Sequence, residues 1–206
     1  MESKMKIRES RSVATSELGA ISGSQGFTLI EIIVILAVIS ILVAILTPTV
    51  LKYIDEARDD RAKEDVKAIA AMLNDLIKDT GQYPGSKLES GNTFLCGPGN
   101  VGLSGQTWGT SATCEDLANH LVTNSPGTTA TSDDYPSGTG RFRWKGPYIT
   151  NLSEDPWGNA YQINASTLVG GNTSPTWVIS AGPDGIFQTS TSSTTLSGDD
   201  LGVRIK

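Results

Sequence analysis

Residues 27–51 read FTLIEIIVILAVISILVAILTPTVL, and this stretch constrains the chain more than any other. Nineteen of its 25 residues are apolar and only one, Glu31, is charged. At ~1.5 Å per residue a helix of this length reaches ~37 Å, enough to cross a hydrocarbon core of ~30 Å. A carboxylate in hydrocarbon costs at least ~2.5 kcal/mol on insertion scales, so Glu31 reads as functional. The alternative is a carboxylate that snorkels to water at the membrane surface. The stretch starts directly after Gly26, behind a segment that carries basic residues.

Lys4, Lys6, Arg8 and Arg11 make the start of the chain basic, partly offset by Glu2, Glu9 and Glu17. Residues 15–26 are small and polar without an apolar period, so 1–26 reads as a leader. An ordinary secretory signal has its cleavage site after the apolar core. The nearest candidate there, Thr47-Pro48-Thr49, contains an unfavourable proline; the Gly26/Phe27 junction lies before the core instead. Pro48 removes a backbone hydrogen bond and clashes with the preceding turn, so a kink or a locally melted turn is expected near 44–47.

The rest of the 206 residues allow one modest globular domain. The formal net charge of −6 argues against nucleic acid, which needs clustered Lys and Arg to replace phosphate counterions. Residues 55–65, DEARDDRAKED, are polar almost all round and fit a solvated stretch of a helix over 52–80. Val66, Ile69, Ala70, Leu73, Leu76 and Ile77 then recur at three- and four-residue steps, an apolar stripe that needs a partner. Gly81 offers a left-handed cap and Pro84 follows, so the helix is expected to stop near Thr80.

Roughly half of 85–140 is Gly, Ser, Thr or Asn, which reads as surface loops and a variable outward face. One short helix is expected at 114–121, with Thr113 as N-cap and Asp116 three residues on. Cys96 and Cys114 are the two cysteines. In an exported domain an even pair reads as a disulfide, here joining that helix to the loop at Cys96; the alternative is two buried free thiols. His120 is the single histidine. A catalytic histidine needs a nucleophile or an orienting carboxylate, and the sequence shows no such pattern around it.

Within 144–206, Trp144, Tyr148-Ile149, the alternation Ala160-Tyr161-Gln162-Ile163 and Thr176-Trp177-Val178-Ile179-Ser180 read as short antiparallel strands, the first extending back to Arg141-Phe142-Arg143. Turns fall at Trp157-Gly158-Asn159 and Gly170-Gly171-Asn172. Trp157 and Trp177 are expected to form an apolar lid over the helix stripe.

Gly26-Phe27-Thr28-Leu29-Ile30-Glu31, followed by an unbroken apolar run, resembles the prepilin signature of type IV pilins and type II secretion pseudopilins. GPYITNLSEDPWGNAYQI at 146–163, SAGPDG at 180–185 and Tyr83-Pro84 at the helix exit resemble the major pseudopilin family of type II secretion systems. The resemblance covers 27–84 and 144–200. The insertion at 85–140 and its two cysteines depart from the compact members of that family.

The resemblance implies an α+β, type IV pilin-like fold. A long N-terminal helix, 27–51 in the membrane or filament core and 52–80 entering the domain, packs under a small antiparallel sheet within 81–206. It implies that a prepilin peptidase cuts between Gly26 and Phe27, that Phe27 is N-methylated, and that Glu31 pairs with the N-terminus of a neighbouring subunit. Melting at Pro48 on assembly is part of the same expectation. It further implies a calcium ion held by Asp184, Asp199 and Asp200, with carbonyls near 179–181. The loop is longer here because 186–198 inserts a Ser/Thr-rich stretch, and Asp-Gly turns are ordinary structural features in their own right.

The implied function is a structural subunit of a helical homopolymer, a pseudopilus driving export by a type II secretion system. Minor pseudopilins and an inner-membrane assembly platform would be its partners. The subunit would be single-pass in the inner membrane with its domain in the periplasm, and the fibre would lie in the periplasm or at the cell surface. The alternative is a type IV pilin forming a surface filament for adhesion, motility or DNA uptake. A third reading, a membrane-anchored enzyme or solute receptor, has no nucleophile–base pair, phosphate loop or CxxC motif to support it.

Overall fold

The computed structural model describes residues 26–102, 107–127 and 134–206. The basic leader residues Lys4, Lys6, Arg8 and Arg11 lie outside the described residues. The chain divides into two compact units, Met1–Thr47 and Pro48–Lys206.

Helix α1 spans Leu29–Thr80. Its first turn is closed by a sequence signature, Thr28-x-x-Glu31. The Glu31 N–H donates to Thr28 Oγ1 at 3.3 Å and the Thr28 N–H donates to Glu31 Oε2 at 3.4 Å. This is a capping box, two orphan N–H groups satisfied reciprocally. The hydroxyls of Ser40 and Thr47 each donate to the carbonyl four residues back, both at 2.7 Å. They therefore need no water in an apolar setting. Of the expected kink or melted turn, the single chain shows no melted turn: residues 44–47 are helical and Pro48 lies inside the continuous element, where it leaves the Ala44 carbonyl without its donor.

From Pro48 onward α1 has a second character. Ala62, Val66, Ile69, Ala70, Leu73 and Leu76 are buried at the expected steps. The helix ends as expected: Gly81, at φ +69°, donates its N–H to the Ile77 carbonyl at 2.8 Å. Against this row lies a five-stranded sheet in the order β2-β1-β3-β4-β5. Its strands are β1 (Phe94–Cys96), β2 (Cys114–Asp116), β3 (Gln162–Ile163), β4 (Trp177–Ser180) and β5 (Leu201–Arg204). Three of the four pairings are antiparallel, and β1 with β2 is parallel. The sheet is thus mixed rather than wholly antiparallel.

Alternation along the strands sorts the core onto two faces. Leu95, Ile163 and Val178 join the α1 row, together with Tyr161, Leu117, Leu121 and Tyr135. Trp177 and Ile179 point the other way, into a second cluster with Trp108, Ala181 and Phe187. The Trp108 and Phe187 rings stack with centroids 5.3 Å apart. Trp177 is therefore no lid over the helix stripe but the floor of the opposite face. Trp157 is only half-buried and belongs to neither cluster.

Two further expectations are corrected. The segment at 141–149 forms no strand, because its N–H groups are engaged elsewhere. Arg143 donates to the Asp79 carbonyl at 2.7 Å, Trp144 to Pro136 at 2.6 Å and Tyr148 to Leu121 at 2.8 Å. It is a strap across the end of α1. The expected helix at 114–121 is shorter, α2 at Leu117–Leu121, and its N-cap is Asp116, which accepts from the Ala118 N–H at 2.8 Å. Thr113 instead closes a turn with Thr110, and its carbonyl accepts from Thr93 and Phe94. That starts the ladder between β1 and β2, which keeps 114–116 extended. The region 85–140 therefore supplies two strands, a helix and core side chains as well as loops.

Candidate functional site

Three places carry charge or chemistry. At the helix start, Gly26 and Phe27 precede α1 and are exposed, Phe27 at 76%. Every large apolar side chain of α1 from Leu29 to Ile54 is also exposed. This is the one helix among the described residues long and apolar enough to cross a membrane. Glu31 lies one helical turn from the Phe27/Thr28 junction, its carboxylate directed at the Thr28 N–H.

The second place lies where two distant sequence motifs meet. Asp155 is buried, and its Oδ1 accepts from the N–H groups of Trp157 at 3.0 Å and Asn159 at 2.8 Å. Its Oδ2 accepts from the Ser180 hydroxyl at 2.6 Å. One carboxylate therefore shapes the Asp-Pro-Trp-Gly-Asn turn and ties it to the last residue of β4. Asn159 Nδ2 reaches the Gly182 carbonyl at 3.4 Å, in the following turn. Gly182, at φ +67°, is closely approached: a Cβ there would stand 2.4 Å from the Asp199 carbonyl oxygen.

The three acidic residues singled out for calcium lie beyond that turn. Asp199 Oδ2 accepts from the Asp184 N–H at 3.3 Å, so these two come together. Asp184 accepts from the Ile186 N–H and the Gln188 amide. Asp200 turns inward and is 4% exposed. Its Oδ2 accepts from the N–H groups of Gln188 at 3.0 Å and Thr189 at 2.6 Å, pinning the Ser/Thr-rich loop to the start of β5. Its Oδ1 is buried without a hydrogen-bond partner. Burial pushes the Asp200 carboxyl above its ordinary range, against the bonds from Thr189 and Gln188, and the Asp199 charge adds to the shift. An all-oxygen donor set with one orphaned carboxylate oxygen fits a hard cation, although among the described residues no three Asp, Glu, His or Cys side chains converge on one point.

The third place is one the sequence reading missed. His120 is fully buried, and it has an orienting carboxylate: Nε2 lies 2.9 Å from Glu115 Oε1, and Nδ1 lies 2.7 Å from Tyr135 Oη. Glu115 also accepts from the N–H groups of Gly127 at 2.7 Å and Glu89 at 2.8 Å. Burial works against its charge, but the bonds from His120, Gly127 and Glu89 together hold its pKa down at about 2. Glu115 and His120 stand five residues apart across the β2–α2 junction, a spacing that pattern reading for strands or helices does not flag. No substrate reaches a fully buried ring, so the group is a clamp that fastens 89, 127 and 135 to α2. The cysteines do pair: Cys96 and Cys114 form a disulfide with Cα atoms 5.6 Å apart. It joins β1 to β2 rather than a loop to a helix. A cleft of about 430 Å³ opens beside it, lined by Pro98, Val101, Val122, Asp116 and Leu152 among others.

Comparison with known proteins places these features. Residues 123–198 match the family described as type II secretion system (T2SS), protein G. Residues 21–47 match the prokaryotic N-terminal methylation motif. The chain is 31% identical over 161 residues to the type II secretion system core protein G of Pseudomonas aeruginosa, covering 78% of this chain and 84% of the relative. It is 25% identical over 178 residues to the protein of the same name from Klebsiella pneumoniae, covering 86% and 92%. The Dickeya chrysanthemi counterpart is 26% identical over 165 residues, covering 80% and 81%. No solved structure matches the chain.

Proposed function

The chain belongs to the type II secretion system core protein G family, and we infer from its own geometry how it serves as a pseudopilin subunit. Its work is assembly rather than bond-breaking chemistry. The observation that carries this reading is the apolar helix start with its one carboxylate. In the unprocessed chain Glu31 caps its own helix through Thr28. A cap of this kind contributes about 1 kcal/mol. Prepilin peptidase cuts after Gly26, leaving Phe27 with a free, then methylated, ammonium group. Removing one partner of a buried charge pair costs about 3–5 kcal/mol. Once both charges are buried in the fibre core, a subunit out of register would leave one of them unpaired, and that penalty is what lets Glu31 set register.

Lipid tails are as apolar as the side chains of α1, so leaving the bilayer gives no hydrophobic gain in itself. Close packing of the helices and the Glu31–Phe27 pair set the register. Pro48 has already freed the Ala44 carbonyl, which makes 44–47 the place where the helix gives way on assembly. The subunit waits in the inner membrane with the domain 52–206 in the periplasm. An assembly platform and minor pseudopilins then build and cap the periplasmic fibre, which pushes folded substrates outward.

Calcium is part of this reading. Asp184, Asp199 and Asp200 would hold it, the orphaned Asp200 Oδ1 among their oxygens, with backbone carbonyls near 179–181. When bound it would supply positive charge beside Asp199 and Asp200, which already tie the loop to the start of β5.

Mass spectrometry of the mature N-terminus tests the reading. The expected species begins at methylated Phe27; a mature chain that retains 1–26 overturns it. Glu31→Ala is expected to insert in the membrane normally and to yield few filaments, and normal yield would remove the role given to Glu31.

A further inference from the structure

The strap at 141–145 carries three cations in five residues, Arg141, Arg143 and Lys145, in a chain of net charge −6. At its centre Phe142 is 57% exposed. The ring lies beside Gly81, where a Cβ would stand 3.3 Å from Phe142 Cδ1. The Arg141 guanidinium sits 5.5 Å from the ring centroid. Arg143 donates from Nη1 to the Gly140 carbonyl at 3.0 Å. Lys145 is paired with Asp79. Among the described residues Arg141 and Arg143 have no carboxylate within ion-pair distance.

The complementary charge stands on the same helix, far from the strap. Glu56, Asp60 and Glu64 recur at four-residue steps and Asp59 flanks them. At 3.6 residues per turn this stripe faces away from the buried row of Ala62, Val66 and Leu73. Asp60 is paired with Lys63, while Glu56, Asp59 and Glu64 have no ion pair among the described residues. Directly before it lie exposed Leu51, Tyr53 and Ile54. Gly81 is 21 residues beyond Asp60, which is ~32 Å along the axis at ~1.5 Å per residue. Patch and stripe cannot meet within one chain.

We propose that the Arg141-Phe142-Arg143 patch of one subunit docks on the Glu56–Glu64 acidic stripe of a second copy, displaced ~32 Å along the helix axis. The two surfaces differ, so the contact is heterologous and each copy still offers a free patch and a free stripe. Such contacts generate open-ended helical polymers rather than closed dimers. Phe142 is the apolar anchor, set level with Asp60 between the two arginines, which fork onto carboxylates that have no ion-pair partner of their own among the described residues. The inference rests on the polymerising role above and adds the surface that fixes the axial step.

The test is sheared-filament yield from cells carrying the full-length chain, with membrane-bound subunit measured in parallel. Arg141→Glu with Arg143→Glu is expected to lower the yield at least about tenfold at unchanged subunit level, because like charges then face each other. Adding Glu56→Arg and Glu64→Arg is expected to restore it. In a separate variant, Asp60→Cys with Phe142→Cys is expected to give a ladder of disulfide-linked multimers of this chain. Normal yield from the arginine double variant, failure of the restoring pair, or Phe142→Cys linking only to a different protein each overturns the proposal. A wild-type chain that forms no filament overturns the polymerising role instead.

Discussion

Glu31 and Glu115 show two ways a carboxylate is used to satisfy backbone donors, one at an exposed helix start and one in the core. Glu31 caps the first turn of α1 from an exposed position. Glu115 is buried and collects bonds from His120 and two backbone N–H groups. Its folded pKa of about 2 lies below the ordinary 4.5. Its network therefore contributes stability that is fully present above about pH 4.5 and is lost as pH falls through about 2. Glu115→Gln keeps the shape and removes the charge, and leaving buried donors poorly satisfied costs about 1–3 kcal/mol. We expect a lower Tm for Glu115→Gln in the detergent-solubilised full chain near neutral pH. The gap to wild type should narrow steadily on acidification below about pH 4.5, since the wild type alone loses the contribution. A gap independent of pH would show that the carboxylate is not the stabilising form. The pairing was illegible in the sequence because β2 turns into α2 between Glu115 and His120, and no regular period joins them. The Thr28/Glu31 box escapes the sequence reading although Thr-x-x-Glu before an apolar run is a helix-start signature, because Glu31 reads there only as a charge in an apolar run.

At the scale of elements, α1 reads clearly because its signals agree: an apolar run, then a three- and four-residue stripe, then Gly81. Gly81 takes φ +69° with the Phe142 ring against it. Gly81→Ala forces a left-handed alanine, at about 1–2 kcal/mol, and displaces the ring, so Tm should drop by several degrees. The sheet reads poorly because its strands are two to four residues long, too short for a period-two pattern to rise above chance. Strand β5 escaped notice for that reason, and β1 and β2 lay hidden among Gly, Ser and Thr. Arg141-Phe142-Arg143-Trp144 misled by its alternation: tertiary hydrogen bonds to Asp79 and Pro136 took the donors a ladder would need. Strand β2 joins the sheet by three residue pairs and the Cys96–Cys114 disulfide. A bridge over this separation contributes about 3 kcal/mol in the chain-entropy account. Reduction should therefore lower the Tm, and limited proteolysis should then cut first at the edge carrying β2 and α2. Unchanged proteolysis after reduction would mean that the Glu115 clamp alone holds that edge.

For the whole molecule, the two segments that resemble the family act at opposite ends of the chain and have different tasks. The helix start carries the polymer contact in the proposed assembly, and the turns at 155–159 and 182–185 build the loop that holds the acidic residues. Asp155 joins those turns through Ser180, which gives a physical reason why the two motifs accompany each other. Beyond them the loop at 186–198 depends on Asp200, whose Oδ2 holds Gln188 and Thr189 while Oδ1 has no partner. Burial disfavours the charged form of a carboxylate held so and pushes its pKa up. A cation on Oδ1 removes that penalty, and a cation at 100 times its Kd would add about 2.7 kcal/mol to folding. Chelation should thus lower the Tm of the wild-type chain and expose 186–198 to protease. Asp200→Asn loses the charge and the cation together, so its Tm should not respond to chelator. A wild-type Tm that is the same with calcium and with chelator would refute the site.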